Sequence, residues 1–129
     1  MTAPVEVSFE GSENGDIPEP VHQAAARAVA RKAEDVTVLD VRGISTATDF
    51  FLIASGRSDV QVRAIAENVI DGAKRRGQRP QHVEGLDQGR WVLIDFIDYV
   101  VHVFQPSVRE FYQLETLWGD APVFRAVES

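Results

Sequence analysis

The sequence predicts an α+β domain, a mixed sheet of about five strands packed with helices. Three observations predict it. Two stretches, after Pro20 and after Ser58, repeat apolar residues with the 3.6 period of a helix. Between and beyond them lie short apolar runs of strand length: V-T-V-L-D-V, F-F-L-I-A, W-V-L-I-D-F and Y-V-V-H-V-F. These runs come in groups instead of alternating one for one with helices, so the order reads α-β-β-α-β-β-β-α, that of an α+β domain.

Residues 1–20 contain S-E-N-G-D-I-P-E-P and few large apolar groups, and they read as an acidic disordered tail. The domain itself is expected over 21–119, with 120–129 as a C-terminal tail. Pro20 suits a first helical turn, and the alanine-rich V-H-Q-A-A-A-R-A-V-A-R-K-A that follows has high helix propensity, with Val21, Ala25, Ala28 and Val29 on one face. Val36–Val41 is a strand stopped by Gly43. Phe50–Ala54, apolar on both faces, fits a strand buried within the sheet.

In the second helix Ser58 and Gln61 form a capping-box pair, and Val62, Ile65, Ala66, Val69 and Ala73 make the buried stripe. Gly77 stands ready as the C′ residue. Gln81–Glu84 is a short strand. If Ile97-Asp98 is a two-residue turn, alternation puts Val92, Ile94, Phe96, Val101 and Val103 under the helices. Trp91, Leu93, Asp95, Val100, His102 and Phe104 then fall on a mixed face suited to a partner. A third helix is capped by Ser107 with Glu110 and carries Val108, Phe111, Leu114, Leu117 and Trp118 as its stripe. Arg90–Trp118 holds both tryptophans and both tyrosines, and aromatic burial dominates cores and interfaces.

Composition removes several classes. There is no cysteine, hence no disulfide, thiolate metal site or thiol catalysis. Apolar runs stop far short of the ~20 residues that span a bilayer, and the N-terminus lacks signal- or transit-peptide patterning, so a soluble cytoplasmic protein is expected. The net charge is −7, and residues 1–20 carry Glu6, Glu10, Glu13, Asp16 and Glu19 with no Lys or Arg. Such a chain is a poor binder of phosphate backbones and better suited to a basic protein.

Nucleophile and phosphate-loop motifs are absent: no G-x-S-x-G, Walker loop or G-x-G-x-x-G occurs. His82 and Glu84, with His102 on a neighbouring strand, have metal-ligand chemistry, but three scattered histidines make such adjacency by chance. Asp95 and Asp98 could hold Mg²⁺ or share a proton; a turn role for Asp98 and a place on the open sheet face for Asp95 explain them more simply. Lys74, Arg75, Arg76 and Arg79 are either an RNA patch or a solvated helix end whose cations offset the dipole, and the second reading is preferred. Trp91, on the mixed face, and Tyr112, one residue off its helix stripe, are the candidate anchors.

Seven pieces in order resemble a known family: L-D-V-R-G (39–43), T-D-F-F-L-I-A-S-G-R-S (48–58), A-I-A-E (64–67), V-E-G (83–85), W-V-L-I-D (91–95), V-V-H-V-F (100–104) and R-E-F-Y-Q-L-E-T-L-W (109–118). From about Val21 to Trp118 the chain resembles the ribosomal silencing factors, the Iojap-like family of bacteria and organelles. The resemblance implies a nucleotidyltransferase-like fold without transfer activity and without cofactor or metal. It implies binding to the fourteenth protein of the large ribosomal subunit, on the face that meets the small subunit, so that subunit joining is blocked and translation repressed.

Trp91, Asp95, His102, Arg109, Tyr112 and Trp118 match family motif positions. Asp95 and Glu115 are expected to pair with basic groups of the partner. Little direct RNA contact and no membrane contact are expected, and a homodimer of the free protein is left open. One departure is local: the family's Gly-Asp hairpin turn is Ile97-Asp98 here, which puts a β-branched residue where positive φ is needed. Two other classes stand beside this reading. A metal-dependent nucleotidyltransferase is weakened by the lack of any Asp-x-Asp, and a dimeric scaffold would use the aromatic face for self-association.

Overall fold

The computed structural model describes residues 5–11, 17–112, 119 and 121–129, with side chains described through Arg109 and again at 119 and 121–129. The elements run β1 (Val7–Gly11), α1 (Glu19–Ala30), β2 (Glu34–Asp40), β3 (Phe50–Ser55), α2 (Asp59–Arg75), β4 (His82–Glu84), β5 (Trp91–Asp95), β6 (Tyr99–Phe104), α3 (Pro106–Tyr112) and β7 (Val123–Glu128). One mixed sheet takes all the strands in the order β1-β7-β2-β3-β6-β5-β4. β3 and β6 run parallel, joined through α2 and the β4–β5 pair, and the other pairings are antiparallel.

The sheet therefore has seven strands, not about five. The two extra strands come from the segments expected as tails. Val7 and Phe9 alternate with Ser8 and Glu10, and Val7 is buried while Phe9 meets the His22 ring edge-on at 5.1 Å. Phe124 is buried and the β7 backbone pairs on both sides, with β1 and with β2. Two well-placed apolar residues per strand, plus a full ladder of hydrogen bonds, are enough to recruit segments whose average composition is polar.

Both long helices lie on one face. Val62, Ile65, Ala66 and Val69 of α2 and Ala24, Ala25 and Ala28 of α1 join Val38, Leu52, Val92, Ile94, Val101 and Val103 in the main core. Each fully buried Val or Ile contributes roughly 1.5–3 kcal/mol. The alanines of α1 let the two helix backbones approach. The Ser58 hydroxyl accepts the Gln61 N–H at 3.1 Å as expected, and the Gln61 amide then reaches back to the carbonyls of Arg31 and Lys32 at the end of α1. Ser58 thus caps the start of α2, and Gln61 the end of α1.

The β5–β6 hairpin closes as a two-residue turn, with the Phe96 N–H donating to the Tyr99 carbonyl at 3.0 Å. Ile97 does take positive φ, +76°, and the Asp98 N–H donates to the Phe96 carbonyl at 3.0 Å, the strained γ-turn geometry. Ser107, expected as the cap of the third helix, lies inside it, and the side chain of its expected partner Glu110 is outside the described residues. Pro106 opens α3, and the Gln105 carbonyl accepts from Val108 and Arg109, leaving Ser107 inside the first turn.

Candidate functional site

Strand pairing fixes which side chains share the face away from α1 and α2. Phe51 is paired with Val100, Ile53 with His102, Leu93 with His102, and Trp91 with Phe104. Leu39, Val41, Ile53, Phe104 and Ala121 form a small second core here, with Phe51, Trp91 and Val108 packed against it. Phe51, Trp91, Leu93, Val100 and Asp95 are half-buried, so part of this face meets solvent. The expected division of the hairpin into an apolar and a mixed face holds residue by residue.

His102 is the centre of the face. Its ring lies within 6 Å of those of Phe51, Trp91 and Phe104. The Trp91 indole N–H donates to His102 Nδ1 at 3.0 Å. An indole nitrogen only donates, so Nδ1 is unprotonated and the imidazole proton sits on Nε2. Burial pushes the His102 pKa down to about 4. His102 is thus a neutral spacer that fixes the orientation of Trp91 from beneath.

Arg109 points back into the molecule. Its guanidinium donates to the Asp35 carbonyl and Ser55 Oγ, both at 2.8 Å, and to Thr37 Oγ1 at 3.4 Å. Asp35 has φ +50°, and the β2 register shifts between Glu34 and Thr37, so Arg109 ties α3 to a bulge in β2. Asp95 Oδ1 accepts the Ile97 N–H at 2.8 Å, and the Ile97 carbonyl accepts the Thr48 hydroxyl at 2.9 Å, which holds the strained turn from both sides. Tyr112 closes α3 by its backbone; its side chain, with Glu115 and Trp118, lies outside the described residues.

The structure brings Trp91, His102, Asp95 and Val100 onto one face, as alternation predicts, and adds Phe51, which the sequence placed in a buried run. The F-F-L-I-A run looks uniformly buried, and only the parallel β3–β6 register puts Phe51 beside Val100. His82 and Glu84 do pair, with Nε2 and Oε1 3.1 Å apart, but Leu93 stands between Glu84 and His102 in the ladder. Among the described residues no group of three or more His, Asp or Glu is arranged to hold a metal ion, and no helix is long and apolar enough to cross a membrane.

A family model described as "ribosomal silencing factor during starvation" matches residues 14–129. The chain belongs to the ribosomal silencing factor family. It is 50% identical over 100 residues to ribosomal silencing factor RsfS of Bacillus subtilis, covering 78% of this chain and 85% of that one. A plant relative, the chloroplastic protein Iojap of Zea mays, is 37% identical over 90 residues, 70% of this chain and 39% of its own longer chain. A solved structure from Chromobacterium violaceum superposes with a TM-score of 0.77 at 36% identity, over 78% of this chain and 84% of that one. Another, from Bacillus halodurans, gives 0.70 at 42% identity, over 87% and 100%. As a ribosomal silencing factor, the protein regulates translation at the ribosome. The match runs through β7.

Proposed function

We propose that this silencing factor docks the sheet face away from α1 and α2 on a basic protein of the large ribosomal subunit, the fourteenth, and so blocks joining of the small subunit. The observation that carries the reading is the half-buried patch of Phe51, Trp91, Leu93 and Val100, on the face opposite α1 and α2. Trp91 is held rigid by His102, and a preorganised aromatic loses little entropy on binding. Asp95 flanks the patch, and Asp49 and Asp98 are exposed at the same end of β3 and β6. An apolar floor with a carboxylate rim complements a basic protein surface.

Occupancy suffices for the mechanism. No bond is made or broken and no cofactor is called for, and the cytoplasm, where free subunits meet, is the place of action. The test is a density gradient of the protein mixed with large subunits and then small ones. Co-migration with the large subunit and loss of the joined-ribosome peak are expected. Leu93→Lys, which sets a cation on the floor of the patch, should abolish both effects while leaving the circular-dichroism spectrum unchanged. If Leu93→Lys silences as well as the parent, the docking face is elsewhere.

A further inference from the structure

Where α2 ends, the helices gather positive charge that the fold itself does not use. Lys74, Arg75 and Arg76 end α2, and Arg79 follows; all four are exposed. The helix dipole accounts for cations at the end of α2. It does not account for Arg27, which comes from α1, is half-buried, and lies near Arg75 and Arg76. Desolvation and then the charges of Arg76 and Arg75 lower the Arg27 pKa, so its guanidinium sits there at a cost. Among the described residues none of the five cations has an ion-pair partner. The neighbouring carboxylates are Glu19, whose Oε1 accepts from the Gln23 amide at 3.1 Å, and Asp71, four residues before Arg75 and not bridged to it.

A glycine makes this convergence possible. Gly72 lies buried inside α2, where glycine costs about 1 kcal/mol relative to alanine. A methyl group built there would overlap the Arg27 side chain at its Nε, Cδ and Cζ atoms. The Arg27 chain therefore crosses α2 in a notch that Gly72 leaves open, on its way to Arg76. Beside it a shallow cleft of about 310 Å³ is lined by Glu19, Gln23, Arg27, Arg76 and Gln78, among others.

We infer that Arg27, Lys74, Arg75, Arg76 and Arg79 form a second contact surface, which takes the phosphodiester backbone of large-subunit RNA while the sheet face holds the protein partner. The inference rests on the docking reading above, because docking is what brings RNA alongside. A protein of net charge −7 binds little free RNA. Once docked, it presents RNA with a local cluster whose mutual repulsion phosphates relieve. Exposed guanidinium groups at the end of α2, with the half-buried Arg27 of α1 beside them, suit an extended backbone, where an enclosed pocket would suit a small anion.

The experiment measures binding to isolated large subunits across a salt series, with a tethered cleavage probe alongside. Deleting one cation that touches a phosphate should lower the slope of log affinity against log salt by about one, so Arg75→Ala/Arg76→Ala should lower it by about two. Gly72→Ala, which fills the notch, should lower it by about one while the protein melts no earlier. Because the chain has no cysteine, Lys74→Cys accepts an iron–EDTA group at one site, and RNA strand scission close to the docked protein is expected. If the parent binds and both variants keep its slope, or the docked probe cuts no RNA, the RNA contact is overturned and docking stands. If the parent does not bind large subunits at all, both readings fall. Trp91→Ala separates the surfaces, since it should weaken binding without changing the slope.

Discussion

His102 carries a pH dependence that its burial dictates. Its folded pKa of about 4 lies below the unfolded value of 6.5. Between those values the unfolded chain binds a proton that the folded one refuses, so stability is full above pH 6.5 and falls as pH drops toward 4. The loss is at most about 3 kcal/mol. Denaturant titrations at a series of pH values should show this decline, and His102→Gln should flatten it. Trp91→Phe should cost about 1–2 kcal/mol through the missing donor to Nδ1, measured by the same titrations at neutral pH. The sequence showed that Trp91 and His102 share a face, because alternation is local. That the indole donates to the imidazole depends on the register of β5 against β6. Arg109 was legible only as a motif residue; the bulge it braces belongs to a strand distant in sequence.

At the scale of single elements, the β5–β6 turn stores strain that glycine would release. Ile97 is exposed and holds φ +76°, a conformation that costs a residue with a Cβ about 1–2 kcal/mol. Ile97→Gly should therefore raise stability by about 0.5–1 kcal/mol after glycine's entropy in the unfolded chain is counted. Asp95→Ala should lower it by about 1 kcal/mol by releasing the Ile97 N–H. Thermal melts of the two variants check both signs. The helices α1 and α2 could be placed from sequence because caps and periodicity act within one turn of the chain. The start of α3 could not: Pro106 and Ser107 both carry start signals, and the Gln105 carbonyl decides between them. The positive φ at Ile97 was foreseeable from the turn length alone.

Over the whole molecule, the sheet extends two strands beyond what periodicity suggests, and its stability should reflect that. Removing residues 1–11 strips Val7 and Phe9 from the core and should lower stability by on the order of 3 kcal/mol. Removing 121–129 takes Phe124 out and bares the edge of β2, and should abolish the cooperative unfolding transition followed by circular dichroism. These strands were not legible in the sequence because each is short, polar on one side, and stabilised by a partner at the far end of the chain. The face away from α1 and α2 was legible for the opposite reason: its two main strands are neighbours in sequence. The pairing of Val7 with Glu128 also has a kinetic side. β7 lies between β1 and β2, so β1 has no edge to join until β7 is in place, however early its residues are made. The sheet can nucleate around β3, α2, β5 and β6 and grow outward. Its first strand in sequence is then the last to be added, and hydrogen exchange of the β1 amides should report the opening of that edge well below the energy of global unfolding.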